Sequence, residues 1–570
     1  MDFKQAIAKS LGKSLSGKMQ EKEIFALIET PKEQANGDFA FPCFKLSSVL
    51  KQNPVQIAGE LSKKISLPKE FEKAEAKGPY LNFFLKKQNL AVLTIKRIFR
   101  GKSDFGKQKL EKKKIMVEYS GPNTNKPLHL GHLRNDSIGM AVSNLLEAAG
   151  NKAIKANIYN DRGIHICKSM LAYQKFGNNL SPEKVRIKPD HFVGNYYVLF
   201  SKEAAKNPVL EQEAQELLKK WEAKDPKTRA LWKKMNAWIL KGFKQTYKRF
   251  GSKFDKEFFE SNFYNKAKPL IDLGIKKGIF KANDDCALVA GLEPELPDKI
   301  VLRPDGTSIY LTNDLALTKH KFEKFKLDKS IWVVGNEQNL YFQQLFLIFE
   351  KLGFAWAKNC RHLSYGMVFL PEGKMKSREG KVVDADDLMD KMSALAEKEI
   401  KKREPKISSP ALKDRREKIS LAAIKFFLLK TDFVKDINFD PEKSLSFEGE
   451  TGPYLQYTYA RAKSILRKSK GDLKKINAFL LKEPQESALI SALSDFPETI
   501  KRSAQNLKPH ILCHYLISLA ETFNSFYHSS PVLKAENKEL AKARLGLVAA
   551  TAQVLKNGLE LLNIPVLEKM

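Results

Sequence analysis

Val117-Glu118-Tyr119-Ser120-Gly121-Pro122-Asn123, followed by His129-Leu130-Gly131-His132, is the stretch that decides the fold class of this chain. Ile115, Val117 and Tyr119 alternate with other residues and read as a short strand; a tight Gly/Pro turn follows. From about Leu133, the apolar residues Ile138, Val142, Leu145 and Leu146 recur at helical spacing until Gly150 stops the helix. A strand running into a helix start is where an α/β sheet holds a nucleotide. Unpaired N–H groups and the helix dipole favour phosphate there. His129 and His132 stand three apart on the first turn and are expected to face one ligand. Gly131 is small enough to let adenine or ribose approach its backbone. Taken alone, the four residues equally describe a helix N-terminus with two surface histidines.

A second element changes the balance. Residues 373–383, Gly-Lys-Met-Lys-Ser-Arg-Glu-Gly-Lys-Val-Val, lie between the strand-like Tyr365–Leu370 and a helix opening near Asp384. Lys374, Lys376, Arg378 and Lys381 are enough positive charge to neutralise a triphosphate, with Ser377 among them. By itself such a charge run is as readily a solvated surface loop.

Around these elements, 570 residues hold about four domains by length. The chain is 43% hydrophobic and 29% charged, as in globular proteins, but its formal net charge is +33. Surplus lysine either solvates the surface or forms a face for a polyanion; the nucleotide-type signatures favour the second, with nucleic acid as partner. Cys43, Cys167, Cys286, Cys360 and Cys513 lie far apart with no C-x-x-C pair, so neither structural zinc nor a disulfide framework is expected. No apolar run approaches ~18 residues, the N-terminus lacks a signal core, and the cytoplasm is the expected compartment.

Along the chain, residues 1 to about 100 mix helical and strand-like pieces and close on Gly78–Phe84, a strand after a turn; Gly101–Lys114 reads as a linker. From Ile115 to about 400, short apolar strands alternate with helices, the α/β pattern. Ile154–Tyr159, Ile309–Thr312, Ile331–Val334 and Met367–Leu370 are candidate strands, and 185–280 reads as a helical insertion. Beyond about 405 the pattern is all-helical, with Leu421–Leu429 and Leu545–Leu562 read as strongly amphipathic. The expected architecture is therefore multidomain: a small α/β N-terminal domain (1–108), a Rossmann-like α/β catalytic domain with a helical insertion (109–404) and an all-α C-terminal domain (405–570).

The histidine turn and the basic loop together resemble the HIGH and KMSKS signatures of class I aminoacyl-tRNA synthetases, and the whole chain resembles the arginyl-tRNA synthetases. The resemblance also runs through Asn36-Gly37-Asp38-Phe39-Ala40, through Glu448–Tyr457 and through Leu562-Asn563-Ile564-Pro565. It implies activation of L-arginine with ATP as substrate, accompanied by Mg2+, and transfer to the terminal adenosine of tRNA(Arg) by a monomer. It places His129 and His132 at the phosphates and Lys374, Lys376 and Arg378 at the pyrophosphate, with Ser377 where the second signature lysine usually stands. In this family a lysine just before the first signature is thought to compensate, and Lys126 occupies that place.

A guanidinium is planar, always charged and offers paired donors, so its pocket calls for carboxylates and a phenol in fixed geometry. The resemblance puts Glu118, Tyr310 and Asp314 there, and Asn123 and Gln338 at the α-amino and α-carboxylate groups. A plain reading of Glu118 is instead a strand-end carboxylate paired with a neighbouring lysine; for Tyr310 and Asp314 it is a core aromatic and a helix cap. Tyr341 stands where the family commonly has histidine, and an adenosine or helix contact is expected of it. Further implied tRNA contacts are Asn82 and Phe84 near the start and Tyr454, Tyr457, Tyr459 and Arg461 in the helical C-terminal part, where bases would stack. Any one of these tyrosines is more often core than contact. The competing assignments are another class I synthetase, of cysteinyl or glutaminyl type, an RNA-binding paralogue without catalysis, and a nucleotidylyltransferase, which leaves the helical C-terminal half unexplained.

Overall fold

Alternation of apolar residues builds the first sheet. Phe39–Pro42 (β1), Phe71–Lys77 (β2) and Tyr80–Leu85 (β3) pair antiparallel in the order β1-β3-β2. Phe41, Phe71, Leu81 and Phe83 turn into a core with Ile7, Leu11 and Ile24 from the two preceding helices. The computed structural model describes residues 3–29, 31, 36–108, 112–307, 309–369, 383–469, 473 and 476–570. Residues 1–102, 465–495 and 521–553 make up one unit, which holds this sheet; 103–464, 496–520 and 554–570 make up a second.

The second unit is built on five parallel strands. Lys114–Glu118 (β4), Lys152–Tyr159 (β5) and Lys256–Phe259 (β6) come first. A small antiparallel sheet of Phe280–Ala282 (β7), Leu288–Ala290 (β8) and Lys299–Leu302 (β9) intervenes, before Lys329–Gly335 (β10) and Cys360–Tyr365 (β11). The parallel order is β11-β10-β4-β5-β6. From β4 the chain builds outward through β5 to β6, then returns to the other side of β4 with β10. The strand order thus reverses beside β4, and in open α/β sheets the crevice outside the carboxyl ends at such a point is the ligand site. Residues 115–118 of β4 are all buried, as a central parallel strand requires. Between β5 and β6 stand the helices Pro189–Lys206, Val209–Glu222 and Pro226–Phe250; the stretch 185–280 read as a helical insertion thus also contains β6, a strand of the parallel sheet itself.

The helix after β4 runs Leu130–Ala148. Its Gly139 rides so close to the chain leaving β4 that an added Cβ would lie 2.2 Å from Tyr119 Cγ. One turn earlier, the fully buried Arg134 donates from Nη1 to the carbonyls of Gly366 and Met367, both at 2.7 Å. Its Nη2 donates to Phe433 and Lys435 at 3.1 and 2.7 Å. These bonds tie the helix to the segments leading into Val368–Phe369 (β12) and into its parallel partner Ile437–Asn438 (β13).

Two sequence readings are corrected. Ile309–Thr312 is not a strand: Ile309 is the extended N-cap of the helix Tyr310–Phe325, and its N–H donates to Thr312 Oγ1 at 3.1 Å. Four β-branched and apolar residues fit a buried strand and a capped helix start equally well, and the cap decided. Leu421–Leu429 is not amphipathic; it is the buried end of the helix Ser409–Leu429, apolar on nearly every side. Among the described residues no helix is long and apolar enough to cross a membrane.

Candidate active site at the carboxyl ends of the parallel strands

The turn after β4 is strained and held. Ser120 and Gly121 both have positive φ, 76° and 60°, an arrangement that persists only where surroundings fix it. Ser120 N–H donates to Asn135 Oδ1 at 2.7 Å and Gly121 N–H to Asn157 Oδ1 at 3.0 Å. Asn135 Nδ2 in turn reaches Val333 O on β10 at 2.7 Å, so the turn is pinned to the strands on either side of the crevice. Asn123 pairs with Asn160 as an isolated parallel bridge, which places it beside the end of β5.

The two histidines cap the helix with their rings. Gly131 N–H donates to His129 Nδ1 and His129 N–H to His132 Nδ1, both at 3.1 Å, with ring centroids 4.0 Å apart. Nitrogens that accept are unprotonated, so each neutral ring keeps its proton on Nε2. Burial, with the Lys126 ammonium nearby, pushes His129 down to about 3. Burial, His129 and Lys126 hold His132 well below the usual imidazole range, and burial also lowers Lys126. This corrects the expectation of free helix N–H groups. Gly131 N–H is taken by His129, Leu130 N–H by Val383 O at 3.0 Å, and His132 N–H by His129 O at 2.8 Å. What the turn can offer an anion is two Nε2–H donors and one lysine. A Cβ on Gly131 would sit 2.9 Å from His129 Cε1, so the glycine is required by the ring as well.

Deeper in the crevice lie the carboxylates. Asp314, on the first turns of the helix Tyr310–Phe325, accepts a bond from the Tyr341 hydroxyl. Burial and the charge of Glu118 push Asp314 up to about 6, against Tyr341 and Lys321, which lower it. Glu118 is bound by the ammonium of Lys321, and both are buried. Glu118, expected at the substrate cation, here meets the ammonium of a lysine two turns beyond Asp314. Of the adenosine or helix contact expected of Tyr341, the hydroxyl makes the second, on Asp314 of the helix Tyr310–Phe325. Tyr310 is 57% exposed, not core, with its hydroxyl 4.0 Å from where a Cβ on Gly163 would be. Gln338 is exposed in the short turn after β10.

A third carboxylate, Glu260, escaped the sequence reading. It follows β6 directly, at the same carboxyl-end edge as Glu118. It is 5% exposed, and burial with Asp314 and Asp161 nearby, against Arg162 and Asn313, brings it up to about 7. Asn313 Nδ2 donates to its Oε1 at 2.8 Å, whereas Oε2 is buried with no hydrogen-bond partner among the described residues. The available signal was position: a glutamate just past Phe258-Phe259, where a parallel strand ends.

A family model for the catalytic domain of class I (R) tRNA synthetases matches residues 94–441. The arginyl-tRNA synthetase N-terminal domain matches 1–85 and the DALR anticodon-binding domain 455–570. An arginine–tRNA ligase of Treponema denticola is 45% identical over 559 residues, 95% of this chain and 94% of its own. One from Phocaeicola vulgatus is 40% identical, covering 99% and 98%. The chain belongs to the arginyl-tRNA synthetases. The Thermus thermophilus arginyl-tRNA synthetase structure superposes with a TM-score of 0.83 at 26% identity, over 100% of both chains.

For a synthetase of this family the second signature is the other half of the site. Lys374, Lys376, Ser377, Arg378 and Lys381 lie outside the described residues. The chain just after them is anchored to the first signature: Ala385 N–H donates to Leu128 O at 3.0 Å, and His129 and Asp384 form an antiparallel bridge. On the RNA side, two expected contacts are corrected. Asn82 and Tyr459 are each 3% exposed, so neither side chain offers a surface to a base. Phe84 is half-buried under the Lys73 ammonium at 4.5 Å. Tyr454 is half-buried, and Tyr457 lies under the Arg461 guanidinium at 4.8 Å, a cation–aromatic pair on one face of the helix Gly452–Lys468.

Proposed function

We propose that this crevice activates L-arginine as follows. The substrate carboxylate attacks the α-phosphorus of ATP, the bond to the pyrophosphate oxygen breaks, and arginyl-adenylate and pyrophosphate result. A ribose hydroxyl of the terminal adenosine of tRNA(Arg), the 2′-OH, then attacks the arginyl carbonyl and AMP leaves. No covalent nucleophile on the protein is needed; the task is to hold two anions in line and to stabilise charge on the transferring group. His129 and His132 Nε2–H and Lys126 meet the phosphates, and the cations of 374–378 meet the pyrophosphate. Asp314, Glu260 and the Tyr310 hydroxyl take the guanidinium, and Asn123 and Gln338 the α-groups. Glu118 acts one step removed, by holding Lys321 beside Asp314.

The observation that carries this reading is Glu260 Oε2, a buried acceptor without a partner among the described residues, in the electrostatic company of Asp314 and Tyr310. Buried acceptors are normally satisfied, and a multiply donating cation would satisfy this one. Magnesium is assigned no residue. Asp190, His191 and Asp386 have ligand-like spacing, but Lys188 Nζ already bridges Asp190 Oδ2 at 2.9 Å and Asp386 Oδ2 at 2.6 Å. The ion therefore belongs with the nucleotide substrate. Three segments, 1–108, 109–404 and 405–570, divide the work, the outer two gripping tRNA through Phe84, Tyr454, Tyr457 and Arg461. The reading is of a cytoplasmic monomer.

The test is arginine-dependent pyrophosphate exchange against pH, with tRNA(Arg) present and absent. A cation binds only the ionised carboxylates, and Asp314 and Glu260 sit near 6 and 7 rather than 4. Expected is a kcat/KM for arginine that holds above pH 7 and falls as pH drops through 7 to 6, with exchange dependent on the tRNA. A profile flat to pH 5 would remove the two carboxylates from the pocket.

A further inference from the structure

Glu260 is useful to a planar cation only if its own plane is fixed, and one side chain does most of that fixing. Asn313 is 4% exposed and lies between Tyr310 and Asp314 in sequence, on the same helix. Its Nδ2 donates to Glu260 Oε1 at 2.8 Å. When Glu260 is ionised it only accepts, so the amide presents its nitrogen there, while Asn313 Oδ1 is buried without a hydrogen-bond partner among the described residues. Arg162 Nη1 approaches the same oxygen at 3.9 Å. The next residue, Ser261, is clamped through its N–H and hydroxyl to Asp161 at 2.8 and 2.7 Å. The contacts made to the Glu260 carboxylate fall on Oε1, and none uses Oε2.

We propose that Asn313 is a positioning residue for the substrate's side chain: by holding Glu260 Oε1 it fixes the carboxylate plane and presents Oε2 to a planar, doubly donating cation, so that preference for arginine over lysine depends on it. The proposal rests on Glu260 being part of the guanidinium pocket. A guanidinium fork needs a matching plane, whereas an ammonium is a point charge that a swivelling carboxylate serves equally well. Losing Asn313 therefore costs arginine more than lysine. It also changes titration, because the amide N–H favours the ionised form of Glu260. The other groups facing Glu260 are Arg162 and Asp161 after β5, Asp314 and Tyr310 on the Asn313 helix, and Tyr341. Without the amide N–H, Glu260 rises further and the acid limb of arginine use moves to higher pH.

The experiment is pyrophosphate exchange by the full chain with tRNA(Arg), using arginine and lysine, for Asn313→Ala, the isosteric Asn313→Asp, and Glu260→Gln as reference. Expected for Asn313→Ala is an arginine KM raised about 10- to 100-fold, the scale of a bond to a charged group, with ATP KM unchanged and a lower arginine-to-lysine ratio of kcat/KM. Asn313→Asp, which sets a second carboxylate against Oε1, shifts the acid limb upward. Should both variants keep the wild-type arginine KM, amino-acid ratio and acid limb while Glu260→Gln loses arginine, Asn313 is a core amide and the proposal is overturned, with the pocket intact. Should Glu260→Gln also retain wild-type arginine use, the pocket reading falls together with the proposal.

Discussion

Asp314→Ala is expected to lower kcat/KM for arginine by two to three orders of magnitude while leaving the KM for ATP within about twofold. Asp314 is half-buried beside Lys321, Glu118 and Tyr341, so a guanidinium that meets it loses much of its water. Removing one partner of such a pair costs ~3–5 kcal/mol, because the remaining charge is left buried and alone; at about 1.4 kcal/mol per decade, that is a hundredfold or more. ATP is spared because the turn after β4 is held by Asn135 and Asn157, and the histidine turn by Val383 and by its own rings, with no bond to Asp314. Steady-state exchange kinetics at fixed tRNA decide it, and unchanged arginine constants would remove Asp314 from the pocket.

Lys321→Met is expected to destabilise the folded chain by ~3–5 kcal/mol, read as a fall in the urea midpoint, because Glu118 would remain buried without its counter-charge. Lys321 is 1% exposed, so water cannot easily replace it. Pairing the change with Glu118→Gln should recover much of the loss, since the desolvated carboxylate goes with it. A loss below about 1 kcal/mol for the single variant would mean that the pair is effectively solvated. Glu118 would then be free to serve the substrate directly, as its place at the end of β4 first suggested.

How much of this was legible beforehand depended on whether the signal was local. The strand, strained turn and capped helix at 114–148 could be read because each has its own periodicity or punctuation. The parallel sheet followed from strands alternating with helices. Tyr310 and Asp314 came only by resemblance, and their own segment was misread as a strand because the cap at Ile309 carries no polar side chain to announce it. Glu260 was missed since its one signal, a place just past Phe258-Phe259, gains meaning only when the sheet order brings that strand end to the crevice. Lys321 had a readable signal: it shares the buried face of its helix with Leu311, Leu315, Thr318 and Phe322, where a lysine demands a partner. That the partner is Glu118 is a matter of strand packing and could not be seen. The histidines show a subtler limit. Their spacing located the phosphate end, but whether they cap the helix or leave its N–H groups free is decided by ring rotamers.

The most direct measurement is a structure of the chain with L-arginine bound. The account predicts the guanidinium nitrogens within hydrogen-bond distance of Asp314 and of Glu260 Oε2, near the Tyr310 hydroxyl, with Lys321 still on Glu118. A guanidinium seated on Glu118 with Lys321 displaced, or one that leaves Glu260 Oε2 untouched, would contradict it.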